Sequence, residues 1–120
     1  MKKPPWSPDD FRLIIGCTQV DYDPNKEEAN RKKHGYSLQS AIHFFERLLF
    51  FDPTPFISRD ASTVAERRHE HMTVDEGKVI FLVTTMRPDE TVRVISVRRA
   101  DAEERDTFAA YTGFREACDL

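Results

Sequence analysis

Residues 79–99 read VIFLVTTMRPDETVRVISVRR, and the centre of a β-sheet can be predicted from them. Val79 to Met86 is an apolar run of the kind found in a central strand, and Thr91 to Arg99 alternates between apolar and polar residues. Pro88 and Asp89, which separate the two segments, are typical turn residues. The stretch therefore predicts two neighbouring antiparallel strands.

A further strand is expected on the N-terminal side of this pair. Arg67 to Thr73 alternates in residue type, and a turn at Asp75–Gly77 connects it to the apolar run, which predicts a three-stranded antiparallel meander. Residues Thr18–Tyr22 are expected to form a first, N-terminal strand. Residues Asp52–Ala65 contain Pro53 and Pro55 and are interpreted as a long loop.

Capping residues predict the helices. Helices are expected at Ser7–Gly16, at Asp23–Gly35, from Ser37 onward with an apolar stripe, and at Asp101–Gly113, where Asp101 and Glu104 have capping-box spacing. The expected fold class is α+β, with a small antiparallel sheet, the meander plus N-terminal strands, packed against helices. Residues 1–20 are interpreted as an N-terminal extension with a short helix, and residues 21–120 as one domain.

Composition limits the class of protein. The chain has 120 residues, 39% of them hydrophobic and 32% charged, and a net charge of −3, which is typical of one soluble domain. The segment VIFLV at 79–83 is too short to span a membrane, and residues 1–10 lack the apolar run of a signal peptide, so a cytoplasmic protein without membrane contacts is expected. Cys17 and Cys118 have no metal-type spacing and are expected to be reduced thiols.

The helix at 23–35 carries a stripe of polar side chains. Lys26, Asn30, Lys33 and His34 follow one another at helical spacing and share one face, while Ala29 is the only aliphatic residue of the helix. Apolar burial alone cannot hold such a helix on a core. Basic side chains near its end complement the helix dipole, and part of the stripe is expected to face a site for an anion.

The end of the last strand adds further cations. Because side chains alternate along a strand, Arg98 and Arg99 are expected on opposite faces of the sheet. Arg93 is expected on the face of Arg99, and Ser96 on the face of Arg98. One of the two terminal arginines can then line a given cleft, and the other is expected to pair with an acid of the last helix.

Arg67, His69 and His71 are expected to share one face of their strand. Two histidines at this spacing can bind one metal ion, but no third and fourth ligand follow at a recognisable spacing, so no metal and no cofactor are expected. The alternatives are a polar strand face, or a histidine that acts as a general acid or base.

Two blocks, DPNKEEANRKKHGYS and RVISVRRADAEER, together with Ala41, Glu66 and Arg67, resemble the BrnT family of toxins. The resemblance extends from about Asp21 to Tyr111. It rests on Asp23, Lys26, Asn30, Lys33, His34, Gly35, Ser37, Ala41, Glu66, Arg67, Arg93, Ile95, Ser96, Arg98, Arg99, Ala100, Glu104 and Arg105. The N-terminal extension and the polar strand RRHEHM depart from the family pattern.

The resemblance implies a ribonuclease toxin of a type II toxin–antitoxin system with a RelE-like fold. It implies an RNA substrate and a BrnA-like ribbon-helix-helix antitoxin. Operator DNA is then contacted only through the antitoxin. A local basic cleft would suffice to bind RNA in an acidic protein.

The hypothesis for the chemistry is metal-independent cleavage through attack of the ribose 2'-OH on the scissile phosphate. The candidate catalytic residues are Lys33, His34, Arg67 and Arg98, and the candidate substrate-binding residues are Lys26, Asn30, Arg93, Arg99 and His69. Two alternatives stay open: a non-catalytic module that binds an antitoxin, and a metal-dependent hydrolase that uses His69 and His71.

Overall fold

A computed structural model describes Trp6 and residues 19–49, 53–87 and 91–119, except for the side chains of residues 48 and 49. The helix predicted at Ser7–Gly16 and the thiol of Cys17 lie outside the described residues. The elements are β1 Val20–Tyr22, α1 Pro24–His34, α2 Leu38–Leu49, β2 Phe56–Asp60, β3 His69–Asp75, β4 Lys78–Met86, β5 Val92–Arg99, α3 Ala102–Thr112 and the 3-10 turn Ala117–Asp119.

The strands form one five-stranded sheet in the order β1-β5-β4-β3-β2. Strands β2, β3, β4 and β5 pair antiparallel, which confirms the predicted meander, while β1 pairs parallel with β5. The α+β fold class is confirmed. Every helix within the described residues is too short or too polar to cross a bilayer.

Strand β2 contradicts the prediction of a long loop at Asp52–Ala65. Pro53 and Pro55 precede the strand and do not interrupt it, so Phe56–Asp60 pairs along its length with β3. Ile57 and Ser58 are both buried. The two prolines marked the start of an edge strand, and the prediction mistook them for a loop.

A β-bulge in β5 changes which arginines share a face. Val83 pairs with Ser96, but the adjacent Thr84 pairs with Val94, so Ile95 is an extra residue on β5. One extra residue reverses the alternation, and Arg93 therefore lies on the face of Arg98. The prediction that Arg93 shares the face of Arg99 is wrong because it assumed an uninterrupted strand.

The two faces of the sheet have different environments. Helices α1 and α2 pack on the first, here called the covered face, where Ile80, Leu82 and Val97 join α2 in a buried core. The second, here called the open face, carries a separate apolar cluster. Its buried members are Trp6, Ile57, Met72, Val79, Phe81, Val83, Ala100 and Phe108.

Polar groups fix the ends of the helices. Asp23 caps α1, and Gly35 ends it with φ 76°, a left-handed conformation that favours glycine. Ser37 Oγ accepts from the N–H of Gln39, as predicted for the start of α2. The carboxylate of Glu27 in α1 also accepts from the N–H groups of Leu38 and Gln39, so α1 caps α2. The capping box predicted at Asp101 and Glu104 is present.

Asn30 holds α1 on the sheet. Its Nδ2 donates to the carbonyls of Tyr36 at 2.7 Å and Val97 at 2.9 Å, and its Oδ1 accepts from the N–H of Val97 at 3.3 Å. Strand β1 ends at Tyr22, opposite Val94, and therefore does not reach Val97. The carboxamide takes the place of a neighbouring strand. Asn30 was predicted to bind substrate, but its side chain is buried and its amide is engaged with the backbone.

Candidate active site on the open sheet face

A cavity of about 400 Å³ lies on the open face and is lined by residues of β2, β3, β4, β5 and α3, together with Arg68 just before β3. Three arginines and two glutamates line it, which gives it a net charge of +1. The lining residues are Arg59, Arg68, Glu70, Phe81, Val83, Ile95, Ser96, Arg98 and Glu104. The bulge contributes to this lining because it places both Ile95 and Ser96 on the open face.

Arg98 is held rigidly in the cavity wall. Its guanidinium carbon lies 4.3 Å from the centroid of the Phe81 ring. Its Nη1 and Nη2 donate to the two carboxylate oxygens of Glu104, at 2.7 and 2.8 Å. The hydrogen bond to Glu104 raises the pKa of Arg98. The predicted site residue Arg98 is therefore a fixed, permanently charged part of the cleft.

Arg59 repeats this arrangement on the opposite wall. Its guanidinium carbon lies 4.3 Å from the centroid of the Trp6 ring. Its Nε and Nη2 both approach Oε1 of Glu70, each at 2.7 Å. Two arginines of the cleft thus each stack on an aromatic ring and each bind a glutamate.

Arg68 differs from the other two arginines. It directly precedes β3, is half-buried, and its backbone N–H donates to Ser62 Oγ at 2.8 Å. Its guanidinium forms no ion pair or hydrogen bond with any residue in the part of the chain that the structure describes. Arg68 is the cation in this cleft whose charge no described carboxylate offsets, which suits it to bind an anion such as a phosphate.

The end of α1 brings the predicted residue His34 near Arg98. His34 is half-buried at the last position of α1, and Lys33 is exposed beside it. Burial lowers the pKa of His34, and the charges of Lys33 and Arg98 lower it further. His34 is therefore neutral at neutral pH and able to accept a proton. His34 does not line the cavity.

Arg68, and not Arg67, joins Arg98 in the cleft. Arg67 is exposed and does not line the cavity. The prediction placed Arg67 with His69 and His71, but those histidines pair with Thr84 and Leu82 on the covered face. Residues 68 and 70 consequently point to the open face. The sequence shows that residues 67 and 68 point to opposite faces, but it does not show which of the two faces the helices cover.

The pair of histidines is part of the packed interior. Nδ1 of His71 lies 2.7 Å from Ser58 Oγ, and its Nε2 lies 2.8 Å from Thr84 Oγ1. Burial lowers the pKa of His71 to about 3, so the ring is neutral. The ring of His69 stacks on it, with centroids 6.3 Å apart. Because both nitrogens of His71 are engaged by hydroxyl groups, the geometry does not favour a metal site at this pair.

The C-terminal segment places Arg99 away from the cleft. Arg99 donates to the buried carboxylate of Glu116, whose Oε2 also accepts from the N–H of Val79 at 2.7 Å. Glu116 lies close enough to Cys118 and Asp119 to share a metal ion with them. However, arginines neutralise both carboxylates, since Arg105 pairs with Asp119 at 2.8 Å. Cys118 is an exposed free thiol.

The other two predicted substrate-binding cations lie outside the cavity. Arg93 is on the open face but pairs with Asp21 of β1, at 3.0 Å from Nε to Oδ1. Lys26 is exposed on α1. Sequence reasoning missed Arg59, Arg68 and Glu70, the first because β2 was not predicted. A charged pair on adjacent strands is a signal that could have identified β2.

The comparisons with known proteins agree with the resemblance read from the sequence. A family model described as "Ribonuclease toxin, BrnT, of type II toxin-antitoxin system" matches residues 22–104. Among solved structures, the ribonuclease toxin BrnT of Brucella abortus is 25% identical with a TM-score of 0.49, covering 70% of this chain and 97% of that one. The comparison with curated proteins gives no match.

Proposed function

Because this chain belongs to the BrnT family of ribonuclease toxins of type II toxin–antitoxin systems, we propose that it cleaves RNA at the open-face cleft. The observation that carries this proposal is that Arg68 and the fixed Arg98 line the same cavity. A guanidinium that no described residue pairs with, together with a second guanidinium in the same open cavity, fits a phosphate of an RNA chain.

The proposed reaction requires no metal. The 2'-oxygen attacks the scissile phosphorus and forms a 2',3'-cyclic phosphate, while the bond from phosphorus to the 5'-oxygen breaks. Neutral His34 takes the proton of the 2'-OH, and the ammonium group of Lys33 gives a proton to the departing 5'-oxygen. Arg68 and Arg98 stabilise the charge that develops on the phosphate oxygens.

Glu104 has a defined part in this proposal. It occupies the Nη1 and Nη2 edge of Arg98, so an incoming phosphate meets the remaining Nε edge of Arg98 or displaces the carboxylate. The guanidinium of Arg68 is not engaged by any residue that the structure describes. We therefore assign the first contact with the phosphate to Arg68, and the stabilisation of the transition state to both arginines.

A ribonuclease toxin of a type II system acts on RNA and has a protein antitoxin as its partner. We propose an antitoxin of the BrnA-like ribbon-helix-helix type, with operator DNA contacted only through that antitoxin. Action on cellular RNA implies that the toxin works in the cytoplasm.

Incubation of purified protein with a mixed-sequence RNA in excess EDTA tests the proposal. Cleavage that leaves 2',3'-cyclic phosphate ends is expected from the wild type and not from Arg98→Ala. Cleavage that stops in EDTA and returns with a transition metal would support a metal-dependent hydrolase. Binding of an antitoxin without any RNA cleavage would support the non-catalytic module.

A further inference from the structure

We propose that Arg59, supported by Trp6, is a stacking platform for a nucleobase that flanks the scissile phosphate. This inference rests on the proposed function, because it assigns a second part of the same cleft. Arg59 lies on β2, and it lines both the cavity described above and a smaller neighbouring cavity of about 240 Å³.

The surroundings of Arg59 hold its guanidinium in place and leave part of the side chain accessible. Trp6, only 6% exposed, supports the guanidinium on one side, and Glu70 binds its Nε and Nη2. The Arg59 side chain is nevertheless 20% exposed. A planar cation fixed from one side and along one edge presents its other side to the cleft.

The charge distribution favours a base over a second phosphate at this position. The carboxylate of Glu70 already offsets the charge of Arg59, and its oxygens would repel a phosphate that approached the same guanidinium. Nucleobases stack well on arginine planes, and an ion-paired arginine keeps its flat surface. Arg68 supplies the phosphate contact, so the two arginines divide the recognition of one nucleotide between them.

The smaller cavity extends this platform toward α3. It is lined by Trp6, Arg59, Met72, Asp101, Glu103, Glu104 and Thr107. Its carboxylates are hydrogen-bond acceptors and disfavour an anion. A base with an exocyclic amino group, as in adenine, cytosine or guanine, matches these acceptors better than uracil does.

Trp6 makes the platform a property of this chain. The matched family region is 22–104, so Arg59 lies inside that region and Trp6 lies before it. The indole also meets the Phe81 ring edge-on, with centroids 6.1 Å apart, and Phe81 supports Arg98. Trp6 therefore contacts Arg59 directly, and it contacts Arg98 through the ring of Phe81.

Fluorescence gives a direct test because Trp6 is the chain's single tryptophan. The wild-type protein is titrated with a DNA dinucleotide, which lacks the 2'-OH and cannot be cleaved, and with the same compound lacking one base. We expect a saturable change of Trp6 fluorescence with the complete dinucleotide, and weaker binding without a fluorescence change for the analogue that lacks the flanking base.

Equal binding of both compounds by calorimetry, binding without a fluorescence change, or no binding at all would overturn the platform. The EDTA cleavage assay, run in parallel, separates this result from the proposed function. Cleavage together with base-independent binding rejects the platform alone. Base-dependent fluorescence without cleavage rejects the proposed reaction alone.

Arg59→Lys tests the plane separately from the charge, because lysine can still pair with Glu70 but has no flat surface. On a short RNA we expect KM to rise about fivefold to tenfold, from the lost stacking, with kcat unchanged. Arg115→Lys, at an exposed position outside both cavities, is the matched control. Trp6→Phe should keep part of the stacking contribution to KM, and Trp6→Leu should lose it. An unchanged KM in Arg59→Lys, or a loss confined to kcat, would reject the platform.

Discussion

Polar side chains have different environments on the covered and open faces of strand β3. On the covered face, His71 is neutral and both its ring nitrogens meet hydroxyl groups. On the open face, Glu70 binds Arg59, and Arg68 lines the cleft without an ion pair to any described residue. Polar groups on the covered face are therefore buried and hydrogen-bonded, while charged groups on the open face line the cleft. Variants of the two faces should accordingly separate stability from activity.

The largest effect is expected for Arg98→Ala on the open face. Removing a guanidinium that stabilises the charged transition state should lower kcat for RNA cleavage by about 10²- to 10³-fold. Its partly exposed pair with Glu104 should contribute no more than about 1 kcal/mol to the free energy of unfolding. Cleavage in EDTA and urea unfolding measure the two quantities. Unchanged cleavage by a folded Arg98→Ala protein would remove Arg98 from the site.

His34 should determine the acid limb of the pH profile. A general base must be unprotonated, and the pKa of His34 is lowered, so kcat/KM should fall only as the pH drops through a value below 6.5. His34→Ala should lose about 10²-fold in kcat, as expected for the removal of a general base. The matched control is His43→Ala, at an exposed position of α2. An acid limb that persists in His34→Ala would assign the proton transfer to another group.

Asn30→Ala should reduce stability and spare the chemistry. It leaves the N–H and carbonyl of Val97 without their partner, which should cost about 1–3 kcal/mol in the free energy of unfolding. Lys26→Ala, an exposed position on the same helix, serves as the control and should change stability by less than about 0.5 kcal/mol. A loss of kcat in a fully folded Asn30→Ala protein would instead place Asn30 in the site.

A pH-dependent loss of stability should come from His71. Its pKa is about 3 in the folded protein and near 6.5 when unfolded, so the unfolded state binds the proton more readily. The contribution is fully present above pH 6.5 and is lost as the pH falls toward 3. Between pH 6.5 and 5, before the carboxylates titrate, the free energy of unfolding should fall by about 2 kcal/mol. His71→Gln, which does not titrate, should show a flatter profile. An equal slope in the variant would contradict this assignment.

Local signals explain what the sequence could predict. Asp23, Gly35, Ser37 and the Asp101 capping box fix helix ends through contacts within a few residues, so these elements were predictable. The meander was predictable from alternation and turns. Helical spacing and strand alternation singled out His34 and Arg98, the family resemblance supported both, and the charge of Arg98 acts on His34 in the structure.

The remainder depended on contacts between distant residues. The bulge at Ile95 reverses the alternation of β5, and no residue near Ile95 is typical of a bulge. Which of Arg67 and Arg68 faces the cleft depends on which side of β3 the helices cover. The proposed role of Arg59 depends on strand β2, which contains it, and on Trp6, which is far from it in the sequence. Tertiary packing decides each of these points.

The most direct test compares alanine variants of three consecutive residues, Arg67, Arg68 and His69, in the cleavage assay with EDTA. Each measured rate is divided by the folded fraction of that variant, determined by circular dichroism. If RNA is cleaved on the open face, Arg68→Ala should lose about tenfold or more in kcat/KM, while the other two variants should stay within about threefold of the wild type. Full activity of Arg68→Ala together with a loss in Arg67→Ala or His69→Ala would contradict the assignment of the site to the open face.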